Sequence, residues 1–248
     1  MRIAFVSGGT RGIGRAIADR LQARGYKVIA SGTRPERPAD LPDEMDYIGC
    51  NIGESGQRAA AFRYIRETYG RLDVLVNNAG VAHGLEPAWE CSLDDWDGMV
   101  DTNIKGLLYA TRAVLPGMVE RNSGHVVMLG SVAGNYSYAG GNVYCGTKAF
   151  VKQFALALRA DLLGKNIRVN NVEPGLCISE FSEVRFRGDA ERAAKVYEGT
   201  QPVTPEDIAE LIWWLVNCPA HVNINRVEVM PLCQCPSGPS VKKGMPEV

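Results

Sequence analysis

The 248-residue chain reads as a single α/β domain, a doubly wound parallel sheet of about seven strands with helices on both faces. Three observations predict this. Short runs of β-branched and apolar residues recur along the chain, longer stretches with helical spacing separate them, and no linker, repeat or low-complexity block interrupts the alternation. Strands alternating with helices imply parallel pairing, because a parallel connection needs a crossover, and a parallel sheet is covered on both faces. With 46% hydrophobic and 22% charged residues, a chain of this length builds one large core.

The first strand, 3–6, is the run Ile-Ala-Phe-Val, stopped at once by Gly8 and Gly9. It is too short for a secretory or membrane-spanning segment, so a cytoplasmic location is expected. A helix over 13–24 and a second strand over 27–30 follow, and the Pro-rich, charged stretch 33–43 reads as a loop. A weaker strand at 47–49 leads to a helix over 57–69 and a fourth strand over 72–76. Helices over 102–120 and 143–163 each precede a further strand, at 125–129 and 167–172. After Pro174-Gly175 the segment 176–200 carries charges and scattered aromatics with little periodicity, which predicts a mobile helical flap at the C-terminal end of a strand. Substrate loops occupy such places. A helix over 205–216 and a strand over 227–230 complete the sheet, and 231–248, rich in Pro, Gly and Ser, reads either as a disordered end or as an arm packing on another subunit.

Composition excludes some partners. Lys and Arg number 27 against 28 Asp and Glu, so a net charge of -1 offers no broad footprint for nucleic acid or an anionic membrane. Seven scattered cysteines, an odd number, fit reduced thiols. Cys233-Gln234-Cys235 could chelate a metal in principle, yet His83, His125 and His221 lie far apart without ligand spacing, and no metal is expected.

The turn after the first strand, Ser7-Gly8-Gly9-Thr10-Arg11-Gly12-Ile13-Gly14, runs directly into a helix. Free backbone N–H groups and the positive dipole end at that point suit a pyrophosphate. Gly8 permits the tight turn, Gly12 the approach of phosphate, and Gly14 the contact of helix and strand. The G-x-x-x-G-x-G spacing has no lysine at the loop end, so an NTPase loop is excluded. After the second strand, Ala30-Ser31-Gly32-Thr33-Arg34 has no carboxylate for ribose hydroxyls before Glu36. Arg34 and Arg11 can instead pair with a 2′-phosphate, which makes NADP(H) the expected cofactor.

Tyr144 and Lys148 are four residues apart in a helical stretch and therefore share a face. A phenol titrating near about 10 is a poor acid or base at neutral pH. An ammonium at about 4 Å and an effective dielectric near 20 favours phenolate by about 4 kcal/mol, roughly three pK units. The competing reading is an exposed Tyr and Lys on an ordinary helix.

Taken together these residues resemble the short-chain dehydrogenase/reductase family over nearly the whole chain. The resemblance is carried by Gly8, Gly12 and Gly14 with Ser7 in place of the usual Thr, by Asn77-Asn78-Ala79-Gly80, by Asn103 in Asp101-Thr102-Asn103-Ile104-Lys105-Gly106, by Ser131 thirteen residues before Tyr144, and by Pro174-Gly175. It implies a Rossmann-like fold and a carbonyl and alcohol oxidoreductase. In that family Tyr144 would transfer the proton, Lys148 would lower its pKa and bind the nicotinamide ribose, and Ser131 would hydrogen-bond the reacting oxygen. Asn103 would hold a water linking Lys148 to solvent; capping of backbone within its helix is the structural alternative. Asn78, Ala79 and Gly80 would pack the adenosine side, and Ile13, Thr10, Asn51, Ile52, Pro174, Gly175 and Ser179 would complete the cofactor site. A homotetramer joined through the helices 102–120 and 143–163 is also implied.

A narrower resemblance, in stretches such as Tyr138-Ala139-Gly140-Gly141-Asn142-Val143-Tyr144, Glu173-Pro174-Gly175-Leu176 and Val184-Arg185-Phe186-Arg187-Gly188-Asp189, is to NADP-dependent 3-hydroxy acid dehydrogenases. It implies substrates such as serine, allo-threonine and 3-hydroxypropionate-like acids. A small acid needs a cation for its carboxylate, and Arg185 in the flap is the candidate clamp, with Arg187 in reserve. A solvated charge, or a partner for Glu183 or Asp189, is the alternative. Two departures stand out. Asn51 replaces the family's usual adenine-contacting Asp, and Ser179 stands where a nicotinamide-contacting Thr is expected, in a flap one residue shorter. Hydride transfer to another carbonyl, or NADP(H) sensing without turnover, are the competing functions.

Overall fold

A computed structural model of the protein describes residues 1–236, 241 and 244. Seven strands form one parallel sheet: β1 (Ile3–Val6), β2 (Lys27–Gly32), β3 (Asp46–Gly49), β4 (Val74–Asn77), β5 (Gly124–Leu129), β6 (Ile167–Pro174) and β7 (Arg226–Val229). Their order is β3-β2-β1-β4-β5-β6-β7, so the winding reverses between β1 and β4. Ligands of open α/β sheets bind at that reversal, beyond the C-terminal strand ends.

Alternation along each buried strand feeds two cores. Ala4, Val6, Val28, Ala30, Val74 and Val76 point to α1 (Gly12–Ala23) and α8 (Pro205–Asn217), meeting Ile17, Leu21, Ile208 and Ile212. Phe5, Ile29, Leu75, Val126 and Met128 point the other way, to α2 (Ser55–Tyr69), α4 (Leu107–Glu120) and α5 (Asn142–Asp161). Both faces being dry, the strands need no polar alternation. Local chemistry sets the helix ends. Thr204 and Asp207 form a capping box with Pro205 in the first turn of α8, and Gly70, at φ 69°, closes α2 in the left-handed conformation.

One expectation needs correction, and two others gain detail. The helix expected over 102–120 starts earlier: α3 (Leu93–Val100) passes through a π turn, Asp101–Gly106, into α4. Ser92 before Leu93, with Asp94 and Asp95 in the first turn, is an ordinary helix start that the apolar pattern overshadowed. The flap holds two short helices, α6 (Phe181–Arg185) and α7 (Ala190–Lys195), tied down by Ser182 to Tyr197 at 2.8 Å and by the Gly84 N–H to the Arg185 carbonyl at 3.0 Å. Two of the first tail residues bond back to the chain itself. Gln234 accepts the Leu176 N–H at 2.7 Å through its side chain, and Cys233 is buried with its thiol on the Gln201 carbonyl. The rest of the expected tail, apart from residues 241 and 244, lies outside the described residues.

Candidate active site

A cleft of about 800 Å³ opens where the winding reverses. Gly8, Thr10, Arg11, Gly12, Ile13, Gly14, Arg34, Asn51, Ile52, Asn78, Ala79, Gly80, Pro174, Gly175 and Ser179 line it, together with Ser131, Tyr144 and Lys148. Ser7, Asn103 and Arg185 are not among its lining residues.

At one end the β1 turn requires glycine. Gly8 and Gly12 have φ of 64° and 51°, and a Cβ on Gly14 would lie 2.0 Å from the Gly8 carbonyl oxygen. Helix α1 then begins with no side-chain cap on its first amides and no acidic residue in its first turn. Uncapped N–H groups at the positive end of a helix are a fitting cradle for a diphosphate. Arg11 and Arg34 flank the same end, both exposed. Ser7 is a brace and no liner: its hydroxyl accepts the N–H groups of Asn78 and Ala79 at 3.0 Å each and fixes the β4 turn against β1. Asn51 turns its amide oxygen to its own backbone, accepting the Gly53 N–H at 3.1 Å. The flap reaches this end too, with a Glu180 carboxylate oxygen 3.0 Å from where a Gly12 Cβ would stand.

At the other end Tyr144 and Lys148 share the buried face of α5 as their spacing predicts. The ammonium lies 5.8 Å from the tyrosine ring centre and donates to the Leu129 carbonyl at 2.8 Å. Burial pushes the Tyr144 phenol up to about 12; the guanidinium of Arg185 and a hydrogen bond with Ser131 oppose that rise. Burial also pushes Lys148 down to about 8. The Arg185 guanidinium, 5.1 Å from the same ring centre, is thus a second cation beside the phenol, in addition to the Lys148 ammonium expected there. The Ser131 hydroxyl accepts the Ala133 N–H at 3.1 Å and donates to the Pro174 carbonyl at 3.4 Å.

Asn103 sits in the π turn, a rare geometry that concentrates at functional sites. Its amide reaches across the chain and does not cap its own helix: it accepts from Val81 N–H at 2.8 Å and donates to the Val81 carbonyl at 2.8 Å and to Thr147 at 3.1 Å. Gly80 separates it from Lys148, since a Cβ there would lie 3.4 Å from the Asn103 oxygen and 3.3 Å from the Lys148 ammonium.

Arg185 lies in an aromatic nest. Its guanidinium is 5.1 Å from the ring centres of both Tyr144 and Phe181 and donates to the Tyr138 hydroxyl at 2.8 Å. Its Nε is buried and bonds to no group among the described residues. Arg187, the reserve choice, is instead paired with Asp95 at 2.5 Å on the surface. Phe181 was missed in the sequence although it precedes Arg185 by four residues and shares its helical face. Leu129, which holds Lys148, also escaped notice; only strand pairing shows that the β5 end faces the cleft. No group of three or more His, Cys, Asp or Glu among the described residues could hold a metal ion.

This sheet with this cleft is the architecture of a dinucleotide-dependent oxidoreductase. Residues 2–189 match the family model described as short chain dehydrogenase, and the chain belongs to that family. It is 54% identical over 245 residues to a probable NADP-dependent dehydrogenase of Haemophilus influenzae, covering 97% of each chain. It is 52% identical over 246 residues to the NADP-dependent 3-hydroxy acid dehydrogenase YdfG of Salmonella typhi, covering 97% of this chain and 99% of that one. A solved closed form of serine dehydrogenase complexed with NADP+ superimposes with a TM-score of 0.91 at 48% identity, over 97% of this chain and 99% of that one.

Proposed function

We propose that the protein transfers a hydride between NADP(H) and a small 3-hydroxy acid or its semialdehyde, with Tyr144 moving the proton. The observation that carries the substrate class is Arg185. A guanidinium packed over the Tyr144 ring, with one nitrogen on Tyr138 and a buried Nε without a partner, is a cation awaiting an anion next to the reacting centre. The names borne by the relatives support the same reading.

The uncapped start of α1 with Gly8 and Gly12 would hold the diphosphate, Arg11 and Arg34 the 2′-phosphate, and Asn51 and Ile52 the adenine. Asn78, Ala79 and Gly80 would pack the adenosine side, while Pro174, Gly175 and Ser179 would flank the nicotinamide. The bound nicotinamide supplies the hydride donor or acceptor. Ser131 orients the substrate oxygen by hydrogen bond, and Tyr144 gives that oxygen a proton in reduction or removes it in oxidation. Arg185 holds the carboxylate and opposes the desolvation that would keep the phenol protonated. Lys148 binds the ribose, and Asn103, through the π turn, would keep a water in line between that ammonium and solvent. The helices α4 and α5 would join a homotetramer, and the chain would act in the cytoplasm.

Arg185→Ala tests the clamp. It should raise KM for 3-hydroxy acids about 10- to 100-fold, the worth of a charge-assisted hydrogen bond, and leave KM for neutral alcohols within about twofold. An equal rise for both substrate types would remove the clamp and favour a neutral carbonyl as substrate.

A further inference from the structure

Behind Ser131 lies a cluster of charged and amide side chains that neither the cofactor nor the substrate would touch. Its centre is Glu173, the penultimate residue of β6, only 1% exposed. A carboxylate so buried is costly unless its oxygens are fully engaged. They are. One oxygen accepts from the Asn171 amide at 2.7 Å, and the other accepts from the Asn135 amide at 2.7 Å and from Arg226 Nε at 2.6 Å. Asn135 is held from its other end as well, its amide oxygen accepting the Lys152 ammonium at 2.8 Å one turn beyond Lys148 on α5. Its amide therefore has one orientation, with oxygen toward Lys152 and nitrogen toward Glu173 and Glu228, the latter at 2.9 Å.

Asn135 closes the short 3₁₀ turn Val132–Gly134 that Ser131 caps. Within it, Gly134 N–H donates to the Ser131 carbonyl at 3.0 Å and Asn135 N–H to the Val132 carbonyl at 2.9 Å. Glu173 also precedes Pro174, whose carbonyl accepts the Ser131 hydroxyl. On the near side, a Cβ on Gly130 would lie 3.0 Å from Glu173 Cγ, so the carboxylate stem underlies the residue before Ser131. The same side chain thus touches the turn that follows Ser131 and underlies the backbone that precedes it, and its residue adjoins the strand end that receives the Ser131 hydroxyl.

We infer that Glu173 is a positioning residue for Ser131, acting through Asn135 and the end of β6. This rests on the proposed role of Ser131 in orienting the substrate oxygen. Replacing the carboxylate by an amide sets an NH2 either against both Asn135 and Arg226, which donate to the same oxygen, or against the Asn171 amide on the other oxygen, so in either orientation an acceptor is lost and the cluster shifts at little change in volume.

The test is a double-mutant cycle on the full-length protein with steady-state kinetics and cofactor titration. Glu173→Gln should lower kcat about tenfold while the dissociation constant of NADPH stays within about twofold, because misplacement touches orientation and not the phosphate end. In a Ser131→Ala background the same substitution should change kcat by less than about twofold, since nothing remains to position. Asn135→Ala run through the same cycle should behave alike, and it carries the test alone if Glu173→Gln does not fold. A full tenfold loss from either substitution in the Ser131→Ala background, or no loss in the wild-type background, would overturn the inference while leaving Ser131 its role. Full activity of Ser131→Ala by itself would instead overturn that role and the inference with it.

Discussion

Tyr144 and Lys148 show how a spacing becomes a site. Four residues of separation put both on one face, and the fold makes that face a buried one at the mouth of β5. Burial then works against both groups, lifting the phenol to about 12 and depressing the ammonium to about 8. For Lys148 the sign of the linkage is definite. Between about 8 and its ordinary 10.5 the unfolded chain binds a proton that the folded chain has released, so folding stability rises with pH through that window. Relative to Lys148→Met, the wild type should gain about 3 kcal/mol of unfolding free energy across that interval in urea titrations. A constant difference between the two proteins would show that Lys148 titrates normally. Tyr144→Phe, which keeps the ring against Phe181 but removes the proton, should lose about 10²- to 10⁴-fold in kcat and retain NADPH binding by fluorescence. For Arg185, opposite in sign to burial in its effect on the phenol, truncation should move the limb on which the oxidation rate of a neutral alcohol rises with pH to higher pH.

Among the elements, the β1 turn and the start of α1 were legible because their glycines answer to backbone geometry: positive φ at Gly8 and Gly12, and no room for a Cβ at Gly14. The two arginines at this end are the residues proposed to carry the cofactor preference. Arg11→Ala combined with Arg34→Ala should weaken NADPH binding about 100-fold and NADH binding by less than about threefold, read by fluorescence titration. Equal weakening of both would place the 2′-phosphate elsewhere. Glu180, whose carboxylate faces the same loop from the flap, was not read from the sequence as part of the site. Only the folded chain brings residue 180 to residue 12. Its like charge opposes a diphosphate, so Glu180→Gln should tighten NADPH binding about threefold at low salt, with the gain shrinking as salt rises. The same cause hid the roles of Ser7 and Gln234. A serine beside a glycine turn and a glutamine in a Pro- and Gly-rich tail carry no local pattern, and their bonds to the β4 turn and to Leu176 are contacts over long sequence separations.

Across the whole molecule, periodicity was enough to read the layered sheet. Each dry strand is a short apolar run and each covering helix carries a stripe, so the seven strands follow from pattern, whereas the division of the expected single core into two, one on each face of the sheet, is seen in the folded chain. The π turn at Asp101–Gly106 and the bounds of the two helices in the expected helical flap did not follow, because their geometry depends on what they pack against. Assembly belongs to this scale. Light scattering should give a mass near four times 27.0 kDa, and a monomer would leave the exposed Tyr109 and Leu156 of α4 and α5 without the role proposed for those helices. The central claim is the reaction itself: hydride exchange between NADP(H) and a small 3-hydroxy acid. Its most direct measurement is absorbance at 340 nm with NADP+ or NAD+ against a panel of 3-hydroxy acids and neutral alcohols. Rapid reduction of NADP+ by the acids, with NAD+ and the alcohols far slower, is the expected result; reduction driven by neutral alcohols alone would contradict it.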